Sequence, residues 1–198
     1  MRMLRLALAP VFALCLAVPA FAQAIPLAEI SRYLNTLDSA QSAFTQVNAD
    51  GSTSTGTVYI KRPGRARFEY DKDKTLVLAA AGQVAIFDGK SNQAPTQYPL
   101  SRTPLSIFLA KDVNLAQSGM VVGHKSDGKA TTVVAQDPAH PEYGTISMVF
   151  TANPTRLDRW IVTDDSGAKT AVMLKGLENG VTLGPRLFNI DAEMGARR

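Results

Sequence analysis

Short segments in which apolar and polar residues alternate follow one another along most of this sequence, with turn residues between them. They run over 42–47, 56–61, 65–70, 75–81 and 84–87, and then over 120–122, 130–136, 145–150, 157–163, 169–174 and 187–190. Alternation with a period of two is typical of strands that are buried on one face. This succession predicts a mainly β protein with one large antiparallel sheet, curled or closed.

Two segments have the spacing of helices. After Pro26, apolar residues recur at helical intervals as far as Leu37, which predicts an amphipathic helix ending near Asp38. The segment from Thr103 to Leu109 offers Thr103 as an N-cap and Pro104 at the first helical position. Its apolar side chains cover most of its circumference, so this short helix must contact apolar groups on nearly all sides.

The first 22 residues have the form of a secretory signal peptide. Arg2 and Arg5 precede an apolar run from Leu6 to Phe21, and small residues flank Phe21 as signal peptidase requires. We expect cleavage after Ala22, which leaves one domain over 23–198. A membrane anchor is the alternative, but the run is short for a spanning helix and two prolines interrupt it.

Removal of this leader changes the cysteine content and the net charge of the exported chain. Cys15 is the only cysteine and lies inside it, so the exported chain has no thiol for a disulfide or a metal site. Two of the 21 cations leave and all 17 acids stay, which lowers the net charge to about +2. No electrostatic footprint for nucleic acid remains, and we expect no nucleic-acid partner.

Motifs for catalysis are incomplete. His124 and His140 stand in turn-like settings without partners for a triad or a metal. Residues 123–129, GHKSDGK, match the spacing of a phosphate-binding loop, but Ala130 and a β-branched strand follow where that loop needs Ser or Thr and a helix. We therefore expect a hairpin turn there, no cofactor, no metal and no enzymatic activity. A hydrolase built on a carboxylate pair is an alternative that turnover of ester substrates would reveal.

The stretch YIKRPGRARFEY, residues 59–70, mixes four cations with large apolar and aromatic side chains. Alternation sorts most of them into an apolar inner face and a charged outer face. A platform for stacking nucleic-acid bases would carry aromatics and cations on one face, so the pattern argues against it. Arg62 is the exception, because it falls in phase with Val58 and Ile60 at the end of its strand.

Two interpretations of Arg62 follow from the residues alone. A buried guanidinium would need acceptors, such as the backbone carbonyls of a nearby helix end. Alternatively, Arg62 reaches water at the rim of the sheet. Together with the short apolar helix, the pattern fits either a pocket covered by a helical lid or an ordinary core that the helix fills. The periodicity of apolar residues does not distinguish a packed core from a cavity that could bind a ligand.

The order of several motifs resembles that of the periplasmic outer-membrane lipoprotein carriers, the LolA family. The matching pieces are SAFTQ at 42–46, GTVYI at 56–60, KRPGRARFEY at 61–70, FDG at 87–89, TPLS at 103–106, WIVTD at 160–164 and LFNI at 187–190. They span nearly all of the exported chain, and the long block with the later TPLS segment is the most specific part.

The resemblance implies an incomplete β-barrel whose apolar concave face is covered by helices and takes up the acyl chains of lipoproteins. In that family the arginine before the proline holds the lid closed through backbone carbonyls, and Arg62 occupies this position. The lid helix would comprise Pro104, Leu105, Ile107, Phe108 and Leu109. The residues that we assign to the acyl-chain cavity are Phe44, Val58, Ile60, Phe68, Tyr70, Phe87 and Trp160.

The resemblance also implies a periplasmic monomer with three kinds of partner. Acylated lipoproteins would be its cargo, an inner-membrane ABC lipoprotein-releasing complex would load it, and an outer-membrane acceptor would unload it. Relatives with this fold carry other lipids or sense mislocalised lipoproteins, and both functions are alternatives. The sensors have an extra C-terminal domain, which we do not expect in this chain.

Overall fold

The computed structural model describes residues 23–91 and 93–197. The expected signal peptide, residues 1–22, lies outside this part of the chain. The sheet contains strands β1 (Ser39–Val47), β2 (Thr53–Lys61), β3 (Arg65–Tyr70), β4 (Leu76–Ala80), β5 (Gln83–Phe87), β6 (Thr96–Pro99), β7 (Val121–Ser126), β8 (Ala130–Gln136), β9 (Thr145–Thr151), β10 (Arg156–Thr163), β11 (Lys169–Leu174) and β12 (Glu178–Asn179). The predicted mainly β fold is therefore confirmed.

All strand pairs are antiparallel, and the order across the sheet is β6-β5-β4-β3-β2-β1-β11-β10-β9-β8-β7, with β12 beside β1. The sheet is not closed into a barrel, because β6 and β7 form its two edges. Four strand spacings separate β3 from β10, which is about 19 Å in a flat sheet. The rings of Phe68 and Trp160 on these strands nevertheless lie 6.3 Å apart. The sheet is therefore strongly curled, as predicted.

One glycine lets an aromatic ring lie against the inner face. Gly56 on β2 pairs with Phe44 on β1 and with Tyr70 on β3. A Cβ atom on Gly56 would lie 2.0 Å from the carbonyl oxygen of Glu69 and 2.9 Å from the Phe44 ring. Any larger residue would therefore displace Phe44 and disturb the β2–β3 pairing.

Among the described residues, three α-helices lie outside the sheet: α1 (Leu27–Asn35), α2 (Leu105–Phe108) and α3 (Ile190–Ala196). Helix α1 occurs where predicted but ends before Asp38. Thr103 does not cap α2, because its hydroxyl donates to the carbonyl of Leu100 at 2.9 Å and Pro104 takes the cap position. None of the helices in the described part of the chain has the length and apolar character needed to span a membrane.

The strand predicted over 187–190 is wrong. This segment forms the end of a 3-10 turn (Pro185–Phe188) and the start of α3. The Asn189 side chain accepts a hydrogen bond from the backbone N–H of Ala192 at 2.8 Å, which caps α3. This N-cap favours a helix over continued extension of the chain.

Residues 123–129 form the end of β7 and the hairpin turn to β8, as predicted. The Asp127 carboxylate accepts from the backbone N–H groups of Lys129 and Ala130 at 2.9 and 2.8 Å, which closes the turn. His124 lies in strand β7 rather than in a turn, and its Nε2 atom is 2.9 Å from the carbonyl oxygen of Ile25.

Both faces of one half of the sheet are covered. Inner-face residues of both halves pack with α1 and α2 into one inner core. On the opposite face, residues of β4 and β5 pack against the chain after β12 to form an outer cluster, comprising Leu76, Leu78, Ala80, Ala85, Phe87, Leu183 and Phe188. Two cations of the KRPGRARFEY stretch hold this cover: Lys61 donates to the Leu183 carbonyl at 2.8 Å, and Arg67 contacts Glu193 at 3.1 Å.

Candidate functional site

A row of aromatic rings crosses the inner core from the sheet to α2. Phe44 meets Tyr70 and Phe68 edge to face, with ring centroids 5.3 and 5.8 Å apart. Phe68 in turn meets the edge of Trp160, and Phe108 of α2 stacks on Trp160 at 5.5 Å. Such aromatic pairs add about 1 kcal/mol each beyond area burial, so Phe108 fixes α2 to the sheet through Trp160.

An apolar cavity of about 300 Å³ lies beside these rings. At about 30 Å³ for each water-sized group, it could hold roughly ten such groups, such as the methylenes of one alkyl chain. Strands from both halves of the sheet contribute to the wall, and Leu105 of α2 forms part of the roof. The lining residues are Gln46, Phe68, Tyr70, Val77, Val84, Ile86, Tyr98, Thr103, Leu105, Trp160, Val162, Thr170 and Val172.

Two lining residues, Tyr70 and Tyr98, carry titratable groups, and burial raises the pKa of both phenols. Burial raises the pKa of Tyr70 to about 12, although its hydroxyl donates to Gln46 Oε1 at 2.7 Å. The phenol therefore stays neutral at physiological pH, which keeps this wall of the cavity uncharged. Among the residues that the structure describes, no group of three or more His, Cys, Asp or Glu side chains could hold a metal ion.

Arg62 lies in the turn between β2 and β3, and only 7% of its surface is exposed. Its Nε and Nη2 atoms donate to the carbonyl of Ala110 at 2.9 and 2.6 Å, and Nη2 is 3.2 Å from the carbonyl of Lys111. Its Nη1 atom donates to the carbonyl of Leu34. The guanidinium therefore joins the C-terminal end of α1 to the chain that follows α2.

The charges and backbone carbonyls around Arg62 explain why its cation is tolerated in the protein interior. Burial lowers the pKa of Arg62, and the carboxylates of Asp38 and Asp112 oppose this shift. A guanidinium nevertheless stays protonated in proteins. It forms no salt bridge with any described carboxylate. Its carbonyl acceptors are instead that of Leu34, in the last turn of α1 where carbonyls carry partial negative charge, and those of Ala110 and Lys111 in the chain after α2.

Asn35 extends this set of contacts. Its Oδ1 atom accepts from Arg62 Nη2 at 3.1 Å and from the backbone N–H of Val113 at 2.9 Å. Its Nδ2 atom donates to the carbonyl of Val113 at 3.0 Å. The sequence did not identify Asn35 as a site residue, because its local sequence is the same as that of any polar residue at the end of an amphipathic helix.

Helix α1 has further polar contacts that do not involve Arg62. The Tyr33 hydroxyl accepts from the backbone N–H of Leu157 on β10 at 3.0 Å, and Glu29 accepts from the Thr155 hydroxyl. Just before the helix, the backbone N–H of Ile25 donates to the Thr131 hydroxyl on β8 at 2.9 Å. These contacts fasten α1 to the β8–β10 side of the sheet along its whole length.

The structure brings most of the predicted site residues together. Phe68, Tyr70 and Trp160 line the cavity, and Phe44, Val58 and Ile60 lie in the inner core behind it. In the predicted lid, Leu105 lines the cavity, whereas Ile107, Phe108 and Leu109 are buried in the same core and Pro104 precedes the helix.

Phe87 is a correction, because it lies on the opposite face. It pairs with Leu76 of β4 and belongs to the outer cluster, where the Arg197 guanidinium lies 5.1 Å from its ring centroid. Its neighbours in β5, Val84 and Ile86, are the ones that face the cavity. Both faces of β5 are apolar, so composition did not reveal which one is concave.

Several known proteins are similar to this chain in sequence or in fold. The family described as "Outer membrane lipoprotein carrier protein LolA" matches residues 35–191. An outer-membrane lipoprotein carrier protein from Methylococcus capsulatus is 23% identical over 191 residues, covering 92% of this chain and 91% of the relative.

Two solved structures extend the comparison. A DUF1329 family protein from Desulfovibrio piger aligns with a TM-score of 0.50 at 12% identity, over 84% of this chain and 95% of that one. A LolA superfamily protein from Nitrosomonas europaea aligns with a TM-score of 0.44 at 13% identity, over 85% and 99% of the two chains. Because the family match covers most of the sequence, this chain belongs to the LolA family of outer-membrane lipoprotein carriers.

Proposed function

We propose that this protein is a periplasmic carrier that binds the acyl chains of lipoproteins and moves them from the inner to the outer membrane. The observation that supports this most is the apolar cavity lined in part by Leu105 of α2, together with an arginine that joins the end of α1 to the chain after α2 by hydrogen bonds to carbonyls. Membership of the LolA family and the name of the Methylococcus relative point the same way.

Burial of hydrocarbon supplies the affinity. Each methylene that leaves water contributes about 0.8 kcal/mol, so roughly ten of them would contribute about 8 kcal/mol before the costs of binding. Lipoprotein acyl chains are longer than this cavity can hold. The cavity must therefore enlarge to take up cargo, and movement of the roof is the simplest way.

In our proposal, α2 is the part that moves. Helix α1 and the residue before it keep their contacts with Leu157, Thr155 and Thr131 when the hydrogen bonds of Arg62 break. Helix α2 has only four residues. Burial of Ile107 and Phe108 holds it, and the chain after it is held by Arg62 and by the Gly64 N–H, which donates to the Leu109 carbonyl at 2.8 Å. Arg62 is thus the latch of the lid, and its bonds favour the closed, empty state over the open, loaded one.

The remaining parts of the proposal follow from this role. Residues 1–22 direct export and are removed, and residues 23–198 act as one domain and as a monomer. An inner-membrane ABC complex loads the carrier, and an outer-membrane acceptor unloads it. The protein transfers cargo without catalysing a chemical reaction.

A second candidate is a carrier of another lipid on the same fold. The observation that favours it is the size of the cavity, which suits one alkyl chain better than several. A sensor of mislocalised lipoproteins would use the same cavity, but the structure offers nothing specific for that role.

The deciding experiment adds the purified mature protein to spheroplasts that hold a labelled outer-membrane lipoprotein. We expect the label in the supernatant as a one-to-one complex. A periplasmic protein of another fold, added at the same concentration, controls for nonspecific extraction. If folded protein releases no lipoprotein, the proposal is wrong, and extraction of bound lipid would then test the second candidate.

A further inference from the structure

A second cavity, of about 410 Å³, opens beside the apolar one. We call it the vestibule, and its polar and aromatic lining comprises Tyr98, Arg102, Thr103, Tyr143, Asp164 and Asp165. Tyr98, Thr103 and Val162 line both cavities. The two spaces therefore adjoin at these residues, and the lining changes from mainly apolar in the first to partly charged in the second.

The vestibule carries charges of both signs. The Arg102 guanidinium lies 5.9 Å from the centroid of the Tyr143 ring and forms no salt bridge with a carboxylate in the described ranges. Asp164 accepts from the hydroxyl and N–H of Ser166 at 2.7 and 2.9 Å, and these bonds lower its pKa, so it is ionised at neutral pH. Asp165 follows it on the same wall.

An amphiphile with its chain in the apolar cavity would place its polar end among these groups. A purely anionic end would meet two carboxylates, and a purely cationic end would meet Arg102. An end that carries both signs can set its anionic group against the guanidinium and its cationic group against a carboxylate. The ring of Tyr98 adds favourable contact with a quaternary ammonium group, whereas the ring of Tyr143 already contacts Arg102 and His140.

We propose that the vestibule binds the zwitterionic headgroup of a phospholipid-like amphiphile whose alkyl chain occupies the apolar cavity. This inference rests on the proposed function only in assuming that the cavity accepts an alkyl chain. It adds a ligand class, and it assigns Arg102 and Asp165 as the residues that distinguish headgroups.

The test compares two amphiphiles with the same chain, dodecylphosphocholine and dodecyl maltoside, below their micelle concentrations. Trp160 is the only tryptophan in the sequence and lines the apolar cavity, so its emission reports entry of the chain. We expect the zwitterionic ligand to bind about fivefold more tightly than the neutral one, which is the range of exposed charge pairs. High salt should reduce this difference.

Variants assign the difference to the vestibule. Arg102→Gln and Asp165→Asn should each bring the two affinities to within about twofold. Arg186→Gln and Asp191→Asn change the same charges in the C-terminal segment, away from the vestibule, and should leave the fivefold ratio intact. Asp164 is not substituted, because its carboxylate closes the turn to Ala168.

Three results overturn the proposal: equal affinities in the wild type, a preference that both vestibule variants keep, or binding of neither amphiphile. The first two leave the proposed function intact, because the alkyl chain still binds. Lipoprotein release from spheroplasts tests that function separately. A preference that both vestibule variants remove and both controls retain supports the zwitterionic site.

Discussion

The Nε atom of Arg62 lies 2.9 Å from the carbonyl oxygen of Ala110, although the two residues are 48 positions apart in the sequence. The same guanidinium reaches back to Leu34, 28 positions away. One side chain therefore joins two helices that the chain itself connects only through six strands. This contact is where we expect loading and unloading of the cavity to be controlled.

Replacing Arg62 by Leu should leave uptake of lipoprotein intact and slow its transfer to the acceptor. In the proposed mechanism the Arg62 hydrogen bonds stabilise the empty state, so their loss makes release less favourable. Hydrogen bonds from a charged donor contribute about 1.5–3 kcal/mol each, and transfer should slow by at least about tenfold. Transfer from the loaded carrier to outer-membrane vesicles measures this rate.

Arg65→Leu is the matched control for this variant. Arg65 lies in the next strand, and among the described residues its side chain hydrogen-bonds only to the carbonyl of Lys61, at 3.2 Å. It should transfer cargo at the wild-type rate. Normal transfer by the Arg62 variant would remove the latch from the proposed mechanism.

Replacing Asn35 by Ala should loosen the chain after α2 and leave α1 in place. The change removes two hydrogen bonds to Val113 and one to Arg62, and it should destabilise this segment locally by about 1–3 kcal/mol. Hydrogen exchange should therefore become faster at Val113 and its neighbours. Exchange in α1 should change little, because Tyr33 and Glu29 still hold it, and equal acceleration in both segments would contradict our assignment of α2 as the moving part.

Phe108→Ala and Phe87→Ala form a matched pair that separates the two faces of the sheet. Both remove a buried ring, so each should lower stability by about 3–5 kcal/mol in thermal or urea unfolding. Only Phe108 stacks on Trp160, so only its loss should shift the emission of Trp160 in the folded protein. A shift of similar size in the Phe87 variant would mean that the Phe87 ring lies near Trp160 on the inner face, and it would contradict the position that we assign to Phe87 in the outer cluster.

Acid should detach the C-terminal helix α3 before it unfolds the sheet. Burial alone would raise the pKa of Glu193, but hydrogen bonds from Arg197 and Arg67 outweigh it and lower the pKa. A carboxyl with a lowered pKa stabilises the fold above its unfolded value, about 4.3, and this contribution disappears as pH falls through the folded value.

Unfolding of wild type and Glu193→Gln at a series of pH values measures this contribution. We expect the wild type to be more stable by about 1 kcal/mol at pH 7 and the two curves to converge as pH falls through the lowered pKa of Glu193. Limited proteolysis near residue 190 should increase over the same range. A stability difference that stays constant with pH would mean that the Glu193 carboxylate does not hold α3.

Regular alternation explains how much of this fold the sequence predicts. Strands β3, β8 and β11 have the predicted bounds. In β3 and β8 buried residues alternate with more exposed ones, whereas in β11 only Val172 is buried. Strand β6 escaped prediction because all four of its side chains are exposed and give no alternation. The 187–190 segment misled because its apolar spacing over four residues suits a strand as well as a turn followed by a capped helix.

The site was predictable where a position breaks the local pattern. Arg62 stands out as a cation in phase with Val58 and Ile60, and the structure places it inside. Its acceptors at Ala110 and Leu34 could not be found from the residues alone, because long-range folding brings them to the guanidinium. Phe87 could not be placed, since strands β4 and β5 are apolar on both faces and only packing decides which face curls inward.

The C-terminal segment after β12, which covers the outer cluster, stiffens one half of the sheet. Strands β4 and β5 are clamped between the inner core and the C-terminal segment, with Lys61 and Arg67 fastening that segment to β2 and β3. This half of the sheet acts as a stiff wall that resists bending when the space beside it fills. In the proposed mechanism, expansion is therefore directed towards the four residues of α2, where a small displacement would change the volume of the cavity and leave the strands in place.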